Sequence, residues 1–209
     1  MKRLVILGSR DLAQQMALHF SREPDVRVAG FLDDFRPVGE QTPMGPVLGG
    51  ASQALAMFEA GAFDLVAIGI GYKHMEYRGT LLTSLKKTVP LATYAHSTCW
   101  VDPTASIEEG SFLLPGCTVD SNARIGAGSF LNAGCVIAHD SIVGENCFLG
   151  PRVTVAGFTR IEAGCFLGVG TTVIDNLRVG PAVQTGGGAV VVEDSTTPGL
   201  YLGLPARRR

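Results

Sequence analysis

Residues 131–166 read, in groups of six, LNAGCV IAHDSI VGENCF LGPRVT VAGFTR IEAGCF. Each group begins with Leu, Ile or Val, and its fifth residue is Cys, Ser, Thr or Val. The same phase runs from Val101 to about Val190 without an insertion, and only the last of the fifteen hexads begins with a non-aliphatic residue, Thr185. A period of six fits neither an amphipathic helix nor a long strand, so it predicts short strands joined by sharp, repeating turns.

The fourth place of the hexad carries the turn chemistry. It is often occupied by Gly or Asn, as at Gly110, Gly116, Asn122, Gly128, Gly134, Asn146, Gly164, Gly170, Asn176 and Gly188. These residues reach positive φ at least cost, so the first and fifth side chains point inward and stack from coil to coil. The pattern resembles the left-handed parallel β-helix of hexapeptide acyltransferases, in which three hexads form a triangular coil; fifteen hexads then imply five coils. An antiparallel sandwich does not keep such a phase and is disfavoured.

The composition limits the classes of function. The 209 residues allow one large or two small domains, and 46% hydrophobic against 17% charged residues is enough for a substantial core. A net charge of −2 gives no electrostatic footprint for nucleic acid or an anionic membrane surface. The first apolar run ends at Gly8, too early for a signal peptide, and no stretch is long enough to cross a membrane. We therefore expect a soluble cytoplasmic protein that binds neither nucleic acid nor membrane.

Four of the five cysteines follow the repeat. Cys117, Cys135, Cys147 and Cys165 are separated by multiples of six and occupy the small inward place, which predicts buried small hydrophobic residues. Zinc sites use closely spaced pairs such as C-x-x-C, and none is present. We expect no metal site and no disulfide framework.

The region before the repeat alternates between strand and helix patterns. The patterns predict strands over 3–8, 25–32, 63–70 and 89–94, helices over 11–20, 51–60 and 72–87, and a Pro- and Gly-rich loop over 36–50. This alternation predicts a small Rossmann-like parallel α/β sheet. The chain thus divides into an α/β domain over 1–97 and a β-helix domain with a C-terminal tail over 98–209.

Ligands of open parallel sheets bind at the carboxyl ends of the strands. The predicted substrate-binding residues at these ends are Gly8, Ser9, Arg10, Asp33, Asp34 and Gly71. Gly8 permits a tight turn, the following helix N-terminus favours a phosphate, and the acidic pair stands where a ribose- or base-binding acid is expected. The second and third glycines of the dinucleotide fingerprint are missing, so a bound nucleotide moiety is favoured over a nicotinamide cofactor. The alternative for the acidic pair is a solvated turn.

Three stretches carry a resemblance to a known family. They are Gly-Phe-Leu-Asp-Asp at 30–34, Leu-Asn-Ala-Gly-Cys-Val-Ile-Ala-His-Asp at 131–140, which is the most specific, and Gly-Leu-Pro-Ala-Arg at 203–207. Together they resemble the bacterial sugar O- and N-acyltransferases related to the sialic acid O-acetyltransferase and the bacillosamine and perosamine N-acetyltransferases. The resemblance spans nearly the whole chain. It implies acetyl-CoA as donor, a nucleotide-linked sugar in the first domain, and a trimer with the active site between neighbouring subunits.

His139 is the only histidine of the repeat, and it stands at the third place of its hexad, which points outward near a turn. A neutral imidazole can take a proton from an amine or hydroxyl near neutral pH. The Asp140 carboxylate would fix the tautomer and stabilise the imidazolium if its side chain turns back toward the ring. The residue types alone also fit an inert surface histidine, whereas the resemblance implies a catalytic His139–Asp140 pair.

The resemblance also implies a set of residues that bind the cofactor. Asn132 matches a residue at the thioester end of CoA, Gly157 one in the pantetheine groove, and Pro205, Ala206 and Arg207 a tail near the adenine and phosphates. Phe148 replaces a second histidine of many relatives, so oxyanion stabilisation would come from backbone N–H groups. For Asn132 and Gly157 the alternative is a plain turn residue, and for the tail a frayed, solvated end. The Gly-Gly-His-Gly-type turn of the family is Ser9-Arg10-Asp11-Leu12 here, which leaves its nucleotide contacts open.

The combined expectation is an acetyl-CoA-dependent N-acetyltransferase acting on the amine of a nucleotide-linked 4-amino-4,6-dideoxy sugar, for surface polysaccharide or glycan biosynthesis. The amine attacks the thioester directly, and His139 is the general base. An O-acetyltransferase acting on a sialic-acid-type hydroxyl would use the same residues, and a non-catalytic β-helix binding module is the alternative outside enzymes. A zinc enzyme of this fold needs three histidines, and the repeat has one.

Overall fold

The structure is a computed structural model that describes residues 1–209. The chain forms two compact units, Met1–Thr93 and Tyr94–Arg209. The sequence patterns placed the boundary a few residues later, between residues 97 and 98. No helix in either unit combines the length and the apolar character needed to span a membrane.

The first unit is a five-stranded sheet with three α-helices. Its strands are β1 (Lys2–Leu7), β2 (Val26–Leu32), β3 (Gln41–Thr42), β4 (Gly45–Gly49) and β5 (Leu65–Ile68). Its helices are α1 (Asp11–Phe20), α2 (Ala54–Glu59) and α3 (Met75–Leu85), and short 3-10 turns at Ala51–Gln53 and Tyr72–His74 precede α2 and α3. The strand order is β3-β4-β2-β1-β5, and all pairs except β3–β4 are parallel.

The central strand β1 explains why this unit folds as an α/β layer. Its last four residues, Leu4 to Leu7, are fully buried, as expected where helices cover both faces of a parallel sheet. Helix α1 has the predicted bounds and buries Met16 and Phe20. The predicted strands near residues 3–8, 25–32 and 63–70 are present, with ends that differ by one or two residues.

Two predictions for the first unit were wrong. The segment 36–50 is not a plain loop, because β3 and β4 lie within it and β4 extends the sheet beside β2. Gly30 allows this approach, since a side chain there would lie 2.5 Å from the Pro46 carbonyl oxygen. The predicted strand over 89–94 is reduced to one bridge between Val66 and Leu91. Pro90 has no amide hydrogen for a ladder, which limits the pairing there.

The second unit consists of three sheets built from strands of mostly two residues, and all strand pairs except β23–β24 are parallel. The first sheet contains β7 (Trp100–Val101), β10 (Thr118–Val119), β13 (Val136–Ile137), β16 (Thr154–Val155), β19 (Thr172–Val173) and β22 (Val190–Val191). The second contains β8 (Ser106–Ile107), β11 (Arg124–Ile125), β14 (Ile142–Val143), β17 (Arg160–Ile161) and β20 (Arg178–Val179). The third contains β6 (Tyr94–Ala95), β9 (Phe112–Leu113), β12 (Phe130–Leu131), β15 (Phe148–Leu149), β18 (Phe166–Leu167), β21 (Val183–Thr185), β23 (Gly199–Leu202) and β24 (Arg207–Arg208).

The register confirms the predicted coil of three hexads. Thr118 pairs with Val136, and Val136 pairs with Thr154, so each strand lies eighteen residues from its neighbour in the next coil. The chain therefore visits the three sheets in turn and forms a left-handed parallel β-helix. The phase ends after Val191, where Val179 bridges Ser195 instead of a residue eighteen positions later.

The inward side chains form one continuous core. The first-place residues from Leu113 to Val179 are fully buried, and so are the four repeat cysteines. Inward hydroxyl groups are satisfied locally; Ser141 Oγ, for example, donates to the Ala156 carbonyl at 2.8 Å. All five cysteines are free thiols.

The turns place a left-handed residue at the fourth position of every hexad from Gly110 to Gly188. Ten of these residues are the Gly and Asn residues that predicted the turns. The other four are Asp140, Arg152, Phe158 and Ala182, which adopt the same backbone without the usual residue type. Left-handed backbone is therefore imposed by the coil even where the side chain opposes it.

Candidate active site

His139 and Asp140 lie in the turn between β13 of the first sheet and β14 of the second. We call the edge of the prism between these two sheets the histidine corner. The His139 side chain is 47% exposed there, and its Nδ1 lies 3.0 Å from Asp140 Oδ2. The carboxylate thus turns back toward the ring, the one condition that the sequence left open.

Two hydrogen bonds hold the Asp140 carboxylate in this position, and its φ of 57° belongs to the left-handed turn. The other carboxylate oxygen, Oδ1, accepts a hydrogen bond of 3.0 Å from Asn122 Nδ2, one coil below. The hydrogen bonds from His139 and Asn122 lower the pKa of Asp140 and outweigh the smaller effect of desolvation. Because the carboxylate accepts from Nδ1, the imidazole presents Nε2 as its free acceptor.

Two residues of the next coil frame the imidazole. A side chain at Gly157 would place its Cβ 2.8 Å from both Cε1 and Nε2 of His139, so only glycine leaves room for the ring in this position. Phe158 packs perpendicular to the imidazole, with ring centroids 5.1 Å apart and planes at 85°. Its backbone N–H donates to the His139 carbonyl at 3.2 Å. The imidazole is therefore flanked by Asp140, Gly157 and Phe158.

Asn122 and Phe158 were not predicted as site residues. Both stand at the fourth place of their hexads. Asn122 was interpreted only as a turn residue, and Phe158, which is neither Gly nor Asn, was not singled out. The signal that would have found them is the coil length, since each lies eighteen residues from Asp140. In a β-helix that spacing makes residues spatial neighbours.

Asn132 and Phe148 lie away from the histidine corner within one chain. Asn132 occupies the turn between the third and first sheets, and its Nδ2 donates to the Leu149 carbonyl at 2.9 Å. Phe148 belongs to the third sheet, the face opposite the histidine corner. It is 6% exposed and stacks on Phe130 at 4.9 Å. The chain alone does not bring these two residues to His139.

The C-terminal tail is ordered rather than frayed. A cis peptide bond precedes Pro205, and Ala206 is buried with its N–H donating to the Val190 carbonyl at 2.7 Å. Strand β24 pairs antiparallel with β23, and the Arg207 guanidinium pairs with Glu193. Arg207 is thus anchored by a carboxylate.

The first unit contains a cleft of about 500 Å³ at the carboxyl ends of β1, β2 and β5. All six predicted substrate-binding residues line this cleft: Gly8, Ser9, Arg10, Asp33, Asp34 and Gly71. The lining also includes Leu32, Phe35, Ala51, Gly69, Ile70, His74 and Tyr77, which the sequence did not single out. Helix α1 starts directly after Arg10, and no side chain caps its first turn, which leaves its N–H groups available to an anion.

Asp33 is a buried acceptor, not a solvated turn residue. It is 7% exposed, accepts from Ser9 Oγ at 2.6 Å, and accepts from the Phe35 N–H at 2.9 Å. Burial raises the pKa of Asp33, but the hydrogen bonds from Ser9 and Phe35, with a contribution from the Arg36 charge, leave the pKa below its ordinary value. The carboxylate thereby fixes the turn after β1 against the end of β2.

Asp34 lines the cleft, and each of its carboxylate oxygens accepts one hydrogen bond from the protein. Its Oδ1 accepts from the Ala51 N–H at 2.8 Å, and its Oδ2 accepts from the Tyr77 hydroxyl at 2.7 Å. Burial and the hydrogen bond to Asp34 raise the pKa of Tyr77 to about 12, so the hydroxyl stays protonated and donates. Each carboxylate oxygen has a second lone pair, and Asp34 can still accept from a ligand.

The chain contains no group of three or more His, Cys, Asp or Glu side chains that could hold a metal ion. The family model described as bacterial transferase hexapeptide (six repeats) matches residues 122–157, the segment that carries the histidine corner. A search of curated proteins found no match.

Several solved structures share the fold over almost the full length of the chain. One is a GDP-perosamine N-acetyltransferase from Caulobacter crescentus, solved as a variant with one histidine replaced by alanine and in complex with CoA and GDP-perosamine. It is 26% identical to this chain with a TM-score of 0.89, and the match covers 99% of this chain and 96% of that one. WeeI from Acinetobacter baumannii is 24% identical with a TM-score of 0.85, covering 99% of both chains. The acetyltransferase domain of PglB from Neisseria gonorrhoeae is 21% identical with a TM-score of 0.86, covering 100% of both chains. These matches confirm the predicted fold class and the resemblance to the hexapeptide-repeat sugar acyltransferases.

Proposed function

We propose that this chain, an acyltransferase of the hexapeptide-repeat type, transfers the acetyl group of acetyl-CoA to the amine of a nucleotide-linked amino sugar. The observation that carries the proposal is the oriented His139–Asp140 pair, whose free Nε2 can accept a proton at an exposed corner. The similarity to the Caulobacter crescentus GDP-perosamine N-acetyltransferase supports a 4-amino-4,6-dideoxy sugar as acceptor.

The cleft of the first unit is the proposed nucleotide site. It combines the uncapped N-terminus of α1, which suits a phosphate, with Asp34, which has a spare acceptor for a ribose hydroxyl or a base N–H. Gly8 supports this role, because its φ of 84° forms the tight turn into the helix. Arg10 lines the same cleft and is exposed, so its guanidinium is available to a phosphate.

The proposed reaction is a direct transfer. The amine nitrogen attacks the acetyl carbonyl carbon and forms the amide bond, while His139 Nε2 takes the proton that the amine loses. The C–S bond breaks, and CoA leaves as a thiolate that takes up this proton and becomes the free thiol. Asp140 holds the ring through Nδ1 and stabilises the imidazolium that results. A positioned general base of this kind contributes about 10²–10⁴-fold to the rate. Covalent catalysis by a cysteine of the repeat is disfavoured, because those thiols are buried in the core.

The acyl thioester is proposed to bind at the histidine corner. Gly157 presents bare backbone beside Nε2, since an added Cβ would lie only 2.8 Å from that atom. Asn132, Phe148 and the Pro205–Arg207 tail remain proposed contacts of the cofactor. Asn132 and Phe148 lie off the histidine corner, so a site that includes them needs a neighbouring copy. The proposed assembly is the homotrimer that the family resemblance implies, and the proposed setting is the cytoplasmic stage of surface polysaccharide or glycan biosynthesis.

The test is release of the CoA thiol from acetyl-CoA with a panel of UDP-, dTDP- and GDP-linked 4-amino-4,6-dideoxy sugars, and the product is checked by mass for one added acetyl group. We expect turnover with one member of the panel and a loss of about 10²–10⁴-fold in the His139→Ala variant. Transfer to a sialic-acid-type hydroxyl alone would replace the proposed reaction with O-acetylation. Absence of both turnover and acetyl-CoA binding would refute an enzymatic role.

A further inference from the structure

We infer that Phe158 positions the acceptor sugar, with its ring as an apolar surface against which a C–H face of the sugar packs beside the base. This inference rests on the proposed function. It names a specificity-determining contact of the same site, at a position that the sequence marks only as a turn.

The backbone at Phe158 shows that the ring is not there to make the turn. Its φ is 56°, and it is the only aromatic residue among the positive-φ positions of the second unit. Ten of the fourteen equivalent turns use Gly or Asn, which adopt this conformation at far lower cost. Bulky residues in left-handed backbone are strained, and such strain is concentrated at functional positions.

Burial does not explain the ring either. Phe158 is 59% exposed, whereas the aromatic residues of the third sheet, Phe112 and Phe130, are at most 1% exposed. The only ring contact of Phe158 is with His139, at 5.1 Å and 85°. Most of the aromatic surface is therefore left uncovered by the rest of this chain.

The chemistry of the reaction determines which molecule that is. The base must come within about 2.6–3.2 Å of the amine whose proton it removes. Atoms of the acceptor that flank its amine then lie within reach of a ring whose centroid is 5.1 Å from the imidazole. A deoxy sugar offers C–H groups and a methyl group, which pack on an aromatic ring, while its remaining hydroxyls need other partners.

The inference is tested with Phe158→Gly, Phe158→Tyr and the matched control Ala182→Gly, which relieves the same backbone strain at a turn on another edge of the prism. We expect Phe158→Gly and Ala182→Gly each to raise Tm by about 2–4 °C. For Phe158→Gly alone we expect KM for the amino sugar to rise roughly tenfold, with KM for acetyl-CoA within about twofold of the wild type and the pH profile of kcat unchanged. Phe158→Tyr keeps the aromatic face and should keep KM.

The outcomes separate this inference from the proposed function. If the wild type acetylates none of the amino sugars, the proposed function fails and this inference fails with it. If the wild type is active and Phe158→Gly keeps its KM for the sugar, the inference alone is refuted. A rise confined to KM for acetyl-CoA would assign the ring to the donor, and an altered pH profile would assign it to His139; both results overturn the inference.

Discussion

Replacing Gly157 with alanine tests whether the imidazole must lie where the structure places it. The added Cβ would be 2.8 Å from Cε1 and Nε2 of His139 and 3.3 Å from Nδ1. Ordinary contacts begin near 3.4 Å, so the ring has to move by roughly 0.6 Å or rotate away. The atoms that must give way belong to a half-exposed side chain and not to the backbone, so the coil itself is not disturbed.

The expected effect is a large loss of rate with little loss of stability. A displacement of about 1 Å in a catalytic group can cost about 10²-fold, because the proton transfer depends on alignment. We therefore expect Gly157→Ala to lower kcat about 10²-fold and to change Tm by no more than a few degrees. The residue is not at a positive φ, so alanine is compatible with its backbone.

The matched control is Gly187→Ala. Gly187 also stands at the third place of its hexad and outside the positive-φ region. Its added Cβ would lie 3.0 Å from Cγ1 of the exposed Val169 side chain and at an ordinary contact distance of 3.5 Å from the Val169 carbonyl oxygen. We expect this variant to keep wild-type kcat and Tm. A loss of activity in the control would show that alanine at this place disturbs the coil generally.

A double-mutant cycle gives the result that would refute the reasoning. If Gly157→Ala acts only by displacing the imidazole, it has no further effect in the His139→Ala background. Equal losses of kcat in the two backgrounds would show that Gly157 acts independently of His139. A rise in KM for acetyl-CoA that persists without His139 would assign the glycine to the groove of the cofactor.

Two further predictions follow from polar contacts. Asn122→Gly keeps the left-handed turn but removes the hydrogen bond to Asp140, so kcat should fall roughly threefold to tenfold. The control Asn176→Gly, at the same place three coils further and one coil beyond Phe158, should have no effect on kcat. Equal activity of both variants would contradict a role for Asn122. Ser9→Ala removes a buried donor to Asp33 and should destabilise the first unit by about 1–3 kcal/mol at pH 7, as measured by hydrogen exchange. The control is Ser84→Ala, which removes an exposed hydroxyl of α3 that donates only to the Leu81 carbonyl. The pKa of Asp33 is lower in the folded state, so its contribution to the free energy of unfolding is complete above the ordinary carboxyl pKa near 4 and is lost as the pH falls through the lower, folded value. The difference in stability between the wild type and Ser9→Ala should therefore narrow below about pH 4. A difference that stays constant with pH would refute the assignment.

The fold of the second unit could be predicted because one period governs it. Every inward place repeats with the phase that begins at Val101, and the eighteen-residue register of the strands follows directly. The first unit has no such redundancy. The segment 36–50 contains many Pro and Gly residues, and the pairing of β4 with β2 depends on a close approach at Gly30 that no local pattern reports.

The candidate site could be predicted only in part, for a related reason. His139 and Asp140 are adjacent in sequence, so their residue types identified them. Asn122 and Phe158 complete the same corner from the coils below and above. Asn122 was explained by its turn position alone, and no sequence pattern pointed to Phe158. Asn is both a good left-handed turn residue and a donor to a carboxylate. Once the turn accounted for Asn122, there was no reason in the sequence to look for its second role as a donor to Asp140.

The left-handed backbone explains how this corner combines structure and chemistry. Fourteen turns adopt positive φ, and only four of them use a residue other than Gly or Asn. Two of those four, Asp140 and Phe158, contact His139. Glycine at either place would fold more easily but would supply neither the carboxylate that orients Nδ1 nor the ring beside the imidazole. At Asp140 and Phe158 the strained backbone thus coincides with a side chain that contacts His139, which is not the case for Ala182. Relieving the strain at Phe158 should therefore raise stability and lower affinity for the acceptor together, whereas relieving it at Ala182 should only raise stability.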